Sequence, residues 1–252
     1  MSFVRVEKQG HLARVTLDRP ERMNAISTTL TTDLHNALFE VNNDRDVRVI
    51  LLSGNGRAFC AGDDLKEFEL QTASKAATVL HIENIQRITR DLMFSSKLVI
   101  GAVHGYAVGG GFEWMLNCDL IVASQDLVAF FPETEWGQFP TGGVTHLLPQ
   151  TLGYQHAMEL LVLGERQTAS ALLEKRLVNW VVPAGDVLKK AEEVAALASA
   201  RSPFSVSALK RMLTRDISPD LERALSLEEE ITIEAFDTEE AKARSANFPT
   251  RK

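Results

Sequence analysis

The chain has 252 residues, of which 45% are hydrophobic and 24% charged, and carries a net charge of −7. That length and composition suit one large soluble α/β domain, or two small ones, with a substantial buried core. The acidic balance argues against a nucleic-acid-binding face, which would be basic.

In chain order, the first expected element is a β-hairpin, with β-branched strands over residues 3–7 and 12–17 joined at Gln9-Gly10. Asp18-Arg19-Pro20 ends its second strand. Ser27 can cap a helix whose Leu30, Leu34, Leu38 and Val41 share one face. Residues 47–52 are nearly all apolar, as a strand covered on both faces should be. A glycine-bearing loop follows, then a helix through Ile82, Ile85, Ile88 and Leu92, then a second buried strand over 98–103. A turn with Gly105, Gly109, Gly110 and Gly111 opens a helix through Trp114 and Leu116, and short strands are expected over 120–123 and 127–131. Strand, strand, helix is the recurring unit, although no repeat is visible in the letters. From Gly153 the chain reads as mainly helical, with one strand-like interruption at 178–182. Residues 219–243 form a Glu-rich amphipathic tail carrying Leu221, Leu225, Ile231 and Phe236, able to pack on its own core or on another subunit.

Two cysteines, Cys60 and Cys118, are no disulfide framework and suggest a reduced, cytoplasmic compartment. The apolar runs are too short to span a bilayer, and the first residues lack the apolar stretch of a signal peptide, so no membrane association is expected.

Two glutamates carry the chemical signal. Glu113 ends the segment Gly109-Gly110-Gly111-Phe112-Glu113, and Glu133 lies in Phe130-Phe131-Pro132-Glu133-Thr134-Glu135. A positioned pair of carboxylates can do acid/base work, one giving a proton and the other taking one. If Gly110 starts a helix, its N–H is free to stabilise an oxyanion, and Glu113 returns to about the same face. The plainer alternative is a first-turn acid beside a tightly packed glycine turn. Glu133 follows two aromatics, and apolar surroundings would let it hold a proton near neutral pH. Alternatively it is a solvated loop residue, with Glu135 an equally good carboxylate. Cys60 reads as a small buried hydrophobe and His104 as a core histidine. No His or Cys spacing matches a metal site, and neither a phosphate-binding loop nor a dinucleotide fingerprint is present.

Together these segments resemble the enoyl-CoA hydratase/isomerase family, the crotonase superfamily, in order over nearly the whole chain. Arg19-Pro20 through Met23-Asn24-Ala25 resembles the family's early CoA-contacting turn, and Arg57-Ala58-Phe59-Cys60-Ala61-Gly62-Asp63-Asp64-Leu65 its first oxyanion-hole segment. His104 through Glu113, continuing to Cys118-Asp119, is similar to the second. Pro132-Glu133 with Gly137, Pro140 and Gly142-Gly143 is similar to the second acid segment, and Thr238-Glu239-Glu240 with Phe248 to the C-terminal signature. The resemblance implies a spiral of ββα units over 1–195, and a helical region over 196–252 that builds a homo-trimer or hexamer. It implies that the backbone N–H groups of Asp63 and Gly110 hold a thioester oxygen, that Glu113 activates water, and that Glu133 exchanges the proton at C2. CoA would be contacted by Met23, Asn24, Ala25, Ala61, Asp63, Asp64, Leu65, Gly110, Phe248 and Arg251. CoA would enter as part of an acyl-CoA substrate, with no metal or separate cofactor. The implied activity is enoyl-CoA hydration. Double-bond isomerisation, other CoA-thioester chemistry and a non-catalytic or RNA-binding role are the alternatives. The bulky Glu135-Trp136-Gly137-Gln138-Phe139 is unusual for the family and bears on the acyl group accepted.

Overall fold

The computed structural model describes residues 2–216, 220–239 and 243. Strands β1 (Val4–Gln9) and β2 (Leu12–Leu17) form the expected antiparallel hairpin, from Val4 opposite Leu17 to Gln9 opposite Leu12. Helix α1 (Thr28–Asn43) begins where the Ser27 hydroxyl accepts the Leu30 N–H, and it buries Leu30, Leu34, Leu38 and Val41. Strand β3 (Val49–Gly54) starts and ends two residues later than its apolar run. The ladder to β2, from Leu12 opposite Val49 to Leu17 opposite Gly54, sets those limits. It draws Ser53 into the strand, where its hydroxyl lies 3.2 Å from that of Thr16.

The short helix α2 (Phe68–Gln71) and the long helix α3 (Lys75–Met93) lead to β4 (Leu98–Val103). Then come β5 (Tyr106–Val108), α4 (Gly110–Leu116), β6 (Leu120–Ser124), β7 (Val128–Phe130) and α5 (Val144–Leu152). The chain continues with α6 (Tyr154–Met158), β8 (Gln167–Thr168), α7 (Ala169–Glu174) and β9 (Trp180–Val182). Helices α8 (Val187–Ser199), α9 (Pro203–Arg211) and α10 (Asp220–Asp237) complete it. Strands β5 and β8 and helix α5 have no counterpart in the sequence reading, because β5 lies inside the glycine turn, β8 is two residues long, and α5 contains Pro149.

Six strands form one sheet in the order β1-β2-β3-β4-β6-β9, parallel beyond the first hairpin; β5-β7-β8 form a second, smaller sheet. The recurring unit is visible here. In β4-β5-α4 and in β6-β7-α5, the first strand joins the large sheet, the second joins the small one, and a helix follows. The segment after β3 does the same in reduced form, since Cys60 bridges to Ala107 of β5. The large sheet is buried on both faces. Ile50 and Leu52 point into the main core, while Val49, Leu51, Ile100 and Val122 pack on Val187, Ala191 and Val194 of α8. That two-sided cover accounts for the unbroken apolar runs.

The C-terminal helices close on this core. Lys210 of α9 is buried and donates to Asp119 Oδ2 at 2.7 Å and to the Leu92 and Lys97 carbonyls. On α10, Leu221 and Leu225 are buried with Met93, and Phe236 meets Phe68 at 5.7 Å between ring centroids. Ile231 and Leu227 of the same helix stay exposed. The apolar stripe of the tail is thus covered in part by its own chain.

Candidate active site

The site lies where the reduced unit after β3 meets β5 and α4. Cys60 takes part in a parallel bridge, donating its N–H to the Tyr106 carbonyl and accepting from Val108 N, both at 3.0 Å. Three residues on, at Asp63, the chain bridges Ile26. Ile26 N donates to Gly62 O at 2.8 Å, and Asp64 N donates to Ile26 O at 2.9 Å. In this alternation Asp63 turns its own N–H the other way, and that N–H has no acceptor among the described residues. Gly110 is the first residue of α4, and its N–H likewise has no acceptor among them, as expected at a helix start.

The turn preceding Asp63 is held by Asn24. Its buried side chain donates to the carbonyls of Asn55, Ala58 and Phe59 and accepts from Arg19 N. Arg19 in turn pairs with the buried Asp64 at 2.7 Å. The structure therefore brings Met23, Asn24, Ala25, Ala61, Asp63, Asp64 and Leu65 together, with Ala61 N bonded to Met23 O. The side chains of Asn24 and Asp64 are committed to holding the backbone, while Leu65 is exposed. Phe248 and Arg251 lie outside the described residues.

Glu113 sits one turn into α4 and is almost fully buried. Its Oε1 accepts the Thr141 N–H at 3.0 Å, and Gly142 adds a second backbone bond. A Cβ on Gly142 would lie 2.9 Å from Glu113 Oε2, so only glycine allows the loop this close. Glu133 heads a 3-10 turn, Glu133–Trp136, and is also buried, whereas Glu135 of the same turn is exposed. The structure thus separates the two carboxylates that the sequence leaves equal. Phe131, just before, stacks on Phe112 of α4 with centroids 4.5 Å apart and ties this segment to the helix. Gly109, at φ 51° and ψ −125°, has a left-handed backbone, and a Cβ there would lie 2.7 Å from Glu133 Oε1.

Asp63, Gly110, Glu113 and Glu133 line one narrow cleft of about 30 Å³, completed by residues of α3 and α10 and by Gln138, Phe139 and Thr141. Burial pushes both carboxyls up. Glu133 rises to about 8, with the Asp63 charge adding to the effect. Glu113 rises well above the usual carboxylate range through burial and then through the charges of Glu133 and Glu228. Two buried carboxylates near one another do not both ionise readily. The two carboxyls differ in their hydrogen bonds. Glu113 accepts two backbone N–H groups, whereas Glu133 Oε2 has no partner among the described residues. The arrangement therefore places two buried carboxyls, both raised above the usual range and unable to ionise together readily, on one cavity.

Comparison with known proteins points to one family. The sequence pattern of the family described as enoyl-CoA hydratase/isomerase matches residues 7–251. The chain belongs to the enoyl-CoA hydratase/isomerase family. Among its relatives, the short-chain-enoyl-CoA hydratase of Clostridium acetobutylicum is 32% identical over 98% of this chain and 95% of that protein. The mevalonyl-coenzyme A hydratase of Aspergillus fumigatus is 35% identical over 78% of this chain and 72% of its own. The crystal structure of an enoyl-CoA hydratase from Bacillus halodurans superposes with a TM-score of 0.91 at 25% identity, covering 98% of this chain and all of that one. The fold is that of the crotonase superfamily, and the protein is an enzyme of this family.

Cys60 and Cys118 are buried free thiols, and burial pushes Cys60 up to about 12, so it is no nucleophile. His104 is half-buried and bonds to the Gly56 carbonyl, outside the cleft. No group of residues fit to hold a metal ion occurs among the described residues, and no described helix is long and apolar enough to cross a membrane. Sequence reasoning missed His81, Thr141 and Glu228. His81 belongs to a helix whose core face alone was read. Thr141 acts through its backbone, and Glu228 reads as one more acid in a Glu-rich tail.

Proposed function

We propose that this protein is an enoyl-CoA hydratase, adding water across the C2–C3 double bond of a trans-2-enoyl-CoA. The observation that carries this reading is the pair of buried carboxyls, Glu113 and Glu133, lining one cleft with two unengaged backbone N–H groups. Shifting a double bond needs one proton carrier; adding water needs two polar groups, one for the hydroxyl and one for the proton.

In this reading the thioester oxygen lies against the N–H groups of Asp63 and Gly110, at the positive end of the α4 dipole. Removing one such donor typically costs about 3 kcal/mol of transition-state stabilisation. Ionised Glu113, fixed by Thr141 and Gly142, orients a water and takes its proton as the oxygen bonds to C3. The C2–C3 π electrons move onto the thioester as an enolate. Protonated Glu133 then gives its proton to C2, and the proton taken by Glu113 restores the pair. The sum is substrate plus water, with no change of oxidation state and hence no call for a redox cofactor. CoA arrives with the substrate, along the rim formed by Met23, Ala25, Ala61 and Leu65.

The same reading assigns the region after residue 195 to assembly as a homo-trimer or hexamer. Its support is the exposed Phe204, Leu209, Leu213 and Ile231 on the C-terminal helices, more apolar surface than a solvated face requires. Two unpaired, buried thiols agree with a cytoplasmic setting. The test of the activity is direct. Purified protein should bleach the enoyl-thioester absorbance of crotonyl-CoA with nothing else added. No loss across a panel of short and medium enoyl-CoA thioesters would overturn the hydratase reading.

A further inference from the structure

The wall of the cleft beyond the two glutamates carries polar atoms that the hydration mechanism does not use. Asp63 Oδ1, His81 Nε2 and Gln138 Nε2 are each buried, line this cleft, and have no hydrogen-bond partner among the described residues. His81 is only 7% exposed. Its Nε2 stands 3.4 Å from Asp63 Oδ1, close enough for an ion pair but without hydrogen-bond geometry. An apolar acyl chain lying here would leave Gln138 Nε2 unpaired and the His81–Asp63 contact without a well-aligned hydrogen bond, which the burial of polar groups penalises. Ile82, Ile85 and Phe236 supply the apolar remainder of the wall, so this end of the cleft is amphipathic rather than polar throughout.

The three atoms make a specific set. Asp63 Oδ1 is an acceptor. Gln138 Nε2 is a donor, and so is His81 Nε2 when it carries its hydrogen. A hydroxyl group donates once and accepts twice. A carboxylate would meet the charge of Asp63, and an ammonium would meet two donors. We propose that the acyl group this enzyme takes is short and carries a hydroxyl beyond C3, which donates to Asp63 and accepts from Gln138 and His81. The proposal rests on the reading of the protein as a CoA-thioester enzyme and names the substrate class of that same site. It also gives Asp63 two separate jobs, its N–H toward the thioester oxygen and its carboxylate toward the acyl hydroxyl.

The test uses matched pairs with equal numbers of heavy atoms. Calorimetric binding of 4-hydroxybutyryl-CoA is compared with that of pentanoyl-CoA, and 5-hydroxypentanoyl-CoA with hexanoyl-CoA. These saturated thioesters cannot be hydrated, so the result does not depend on turnover. At least one hydroxylated member should bind about tenfold or more tightly than its alkyl partner, the effect of one well-made hydrogen bond. In Gln138→Leu that ratio should fall toward unity. Equal or tighter binding of the alkyl member in both pairs would overturn the inference, and so would a preference that survives Gln138→Leu undiminished. Hydration of crotonyl-CoA with no hydroxyl preference would overturn the inference alone. Failure to bind any of the four thioesters would overturn both the inference and the CoA reading beneath it.

Discussion

Glu228 of α10 accepts the Gly143 backbone N–H at 2.7 Å, two residues from the Thr141 N–H that holds Glu113. Its other oxygen accepts from both the N–H and the hydroxyl of Thr145. Gly143 and Thr145 lie at the start of α5, so a carboxylate from a remote helix serves as its cap, where negative charge is favoured. The C-terminal helix thereby fixes the loop that positions one of the two buried carboxyls of the cleft.

Glu228→Ala should therefore lower kcat by about tenfold or more, the effect of a misplaced catalytic group, with a smaller change in KM. Glu228→Gln keeps an acceptor but removes the charge that helps push Glu113 up. Its pH–rate profile should show the Glu113 limb moved to lower pH. An unmoved profile with normal kcat in both variants would mean that Glu228 supports only the fold.

Stability should fall as pH rises from about 5 to about 8. Burial lifts Glu133 from 4.5 to about 8 and Glu228 from 4.5 to about 7. Across that window the folded chain keeps protons that the unfolded chain has released. Folding is therefore favoured at the acid end and loses ground until each folded-state pKa is passed. Each group contributes a slope of about 1.4 kcal/mol per pH unit within its own window. Urea midpoints measured across this range should decline with pH, and Glu133→Gln should flatten the decline most between about pH 7 and pH 8. A midpoint that climbs with pH equally in both proteins would contradict the buried, protonated Glu133.

Gly110 should matter through its backbone. Proline is tolerated at the first position of a helix, and its φ fits there, but it removes the N–H. A Cβ on either proline or alanine would meet the Ile26 side-chain tip at 2.8 Å, so Gly110→Ala is a fair control. With both variants folded by circular dichroism, Gly110→Pro should lose far more kcat than Gly110→Ala. Equal activity would remove Gly110 from the oxyanion site.

Much of this was legible in the letters because local rules and burial agreed. Ser27 before Leu30 and Leu34 read as a cap and a buried face, and both are there. The apolar runs at 47–52 and 98–103 read as two-sided strands, and α8 indeed covers the second face. The placement of Glu113 near Gly110 followed from helical spacing alone. Other features needed the third dimension. Glu133 and Glu135 are alike by sequence, and only the 3-10 turn and the Phe131–Phe112 stack decide which one is buried. The resemblance implies that Asn24 contacts CoA; what the letters do not show is that its side chain ties down the 55–59 turn. Glu228 and His81 lie far along the chain from what they serve, and contacts of that separation leave no local pattern.

The account stands or falls on the division of labour between the two glutamates. The decisive measurement is deuterium uptake from heavy water into C2 of the acyl group, in the unmutated protein, Glu113→Gln and Glu133→Gln. The account predicts that Glu113→Gln abolishes hydration yet retains some exchange, because Glu133 still carries the C2 proton, and that Glu133→Gln suppresses both. Exchange in Glu133→Gln equal to that of the unmutated protein would contradict it.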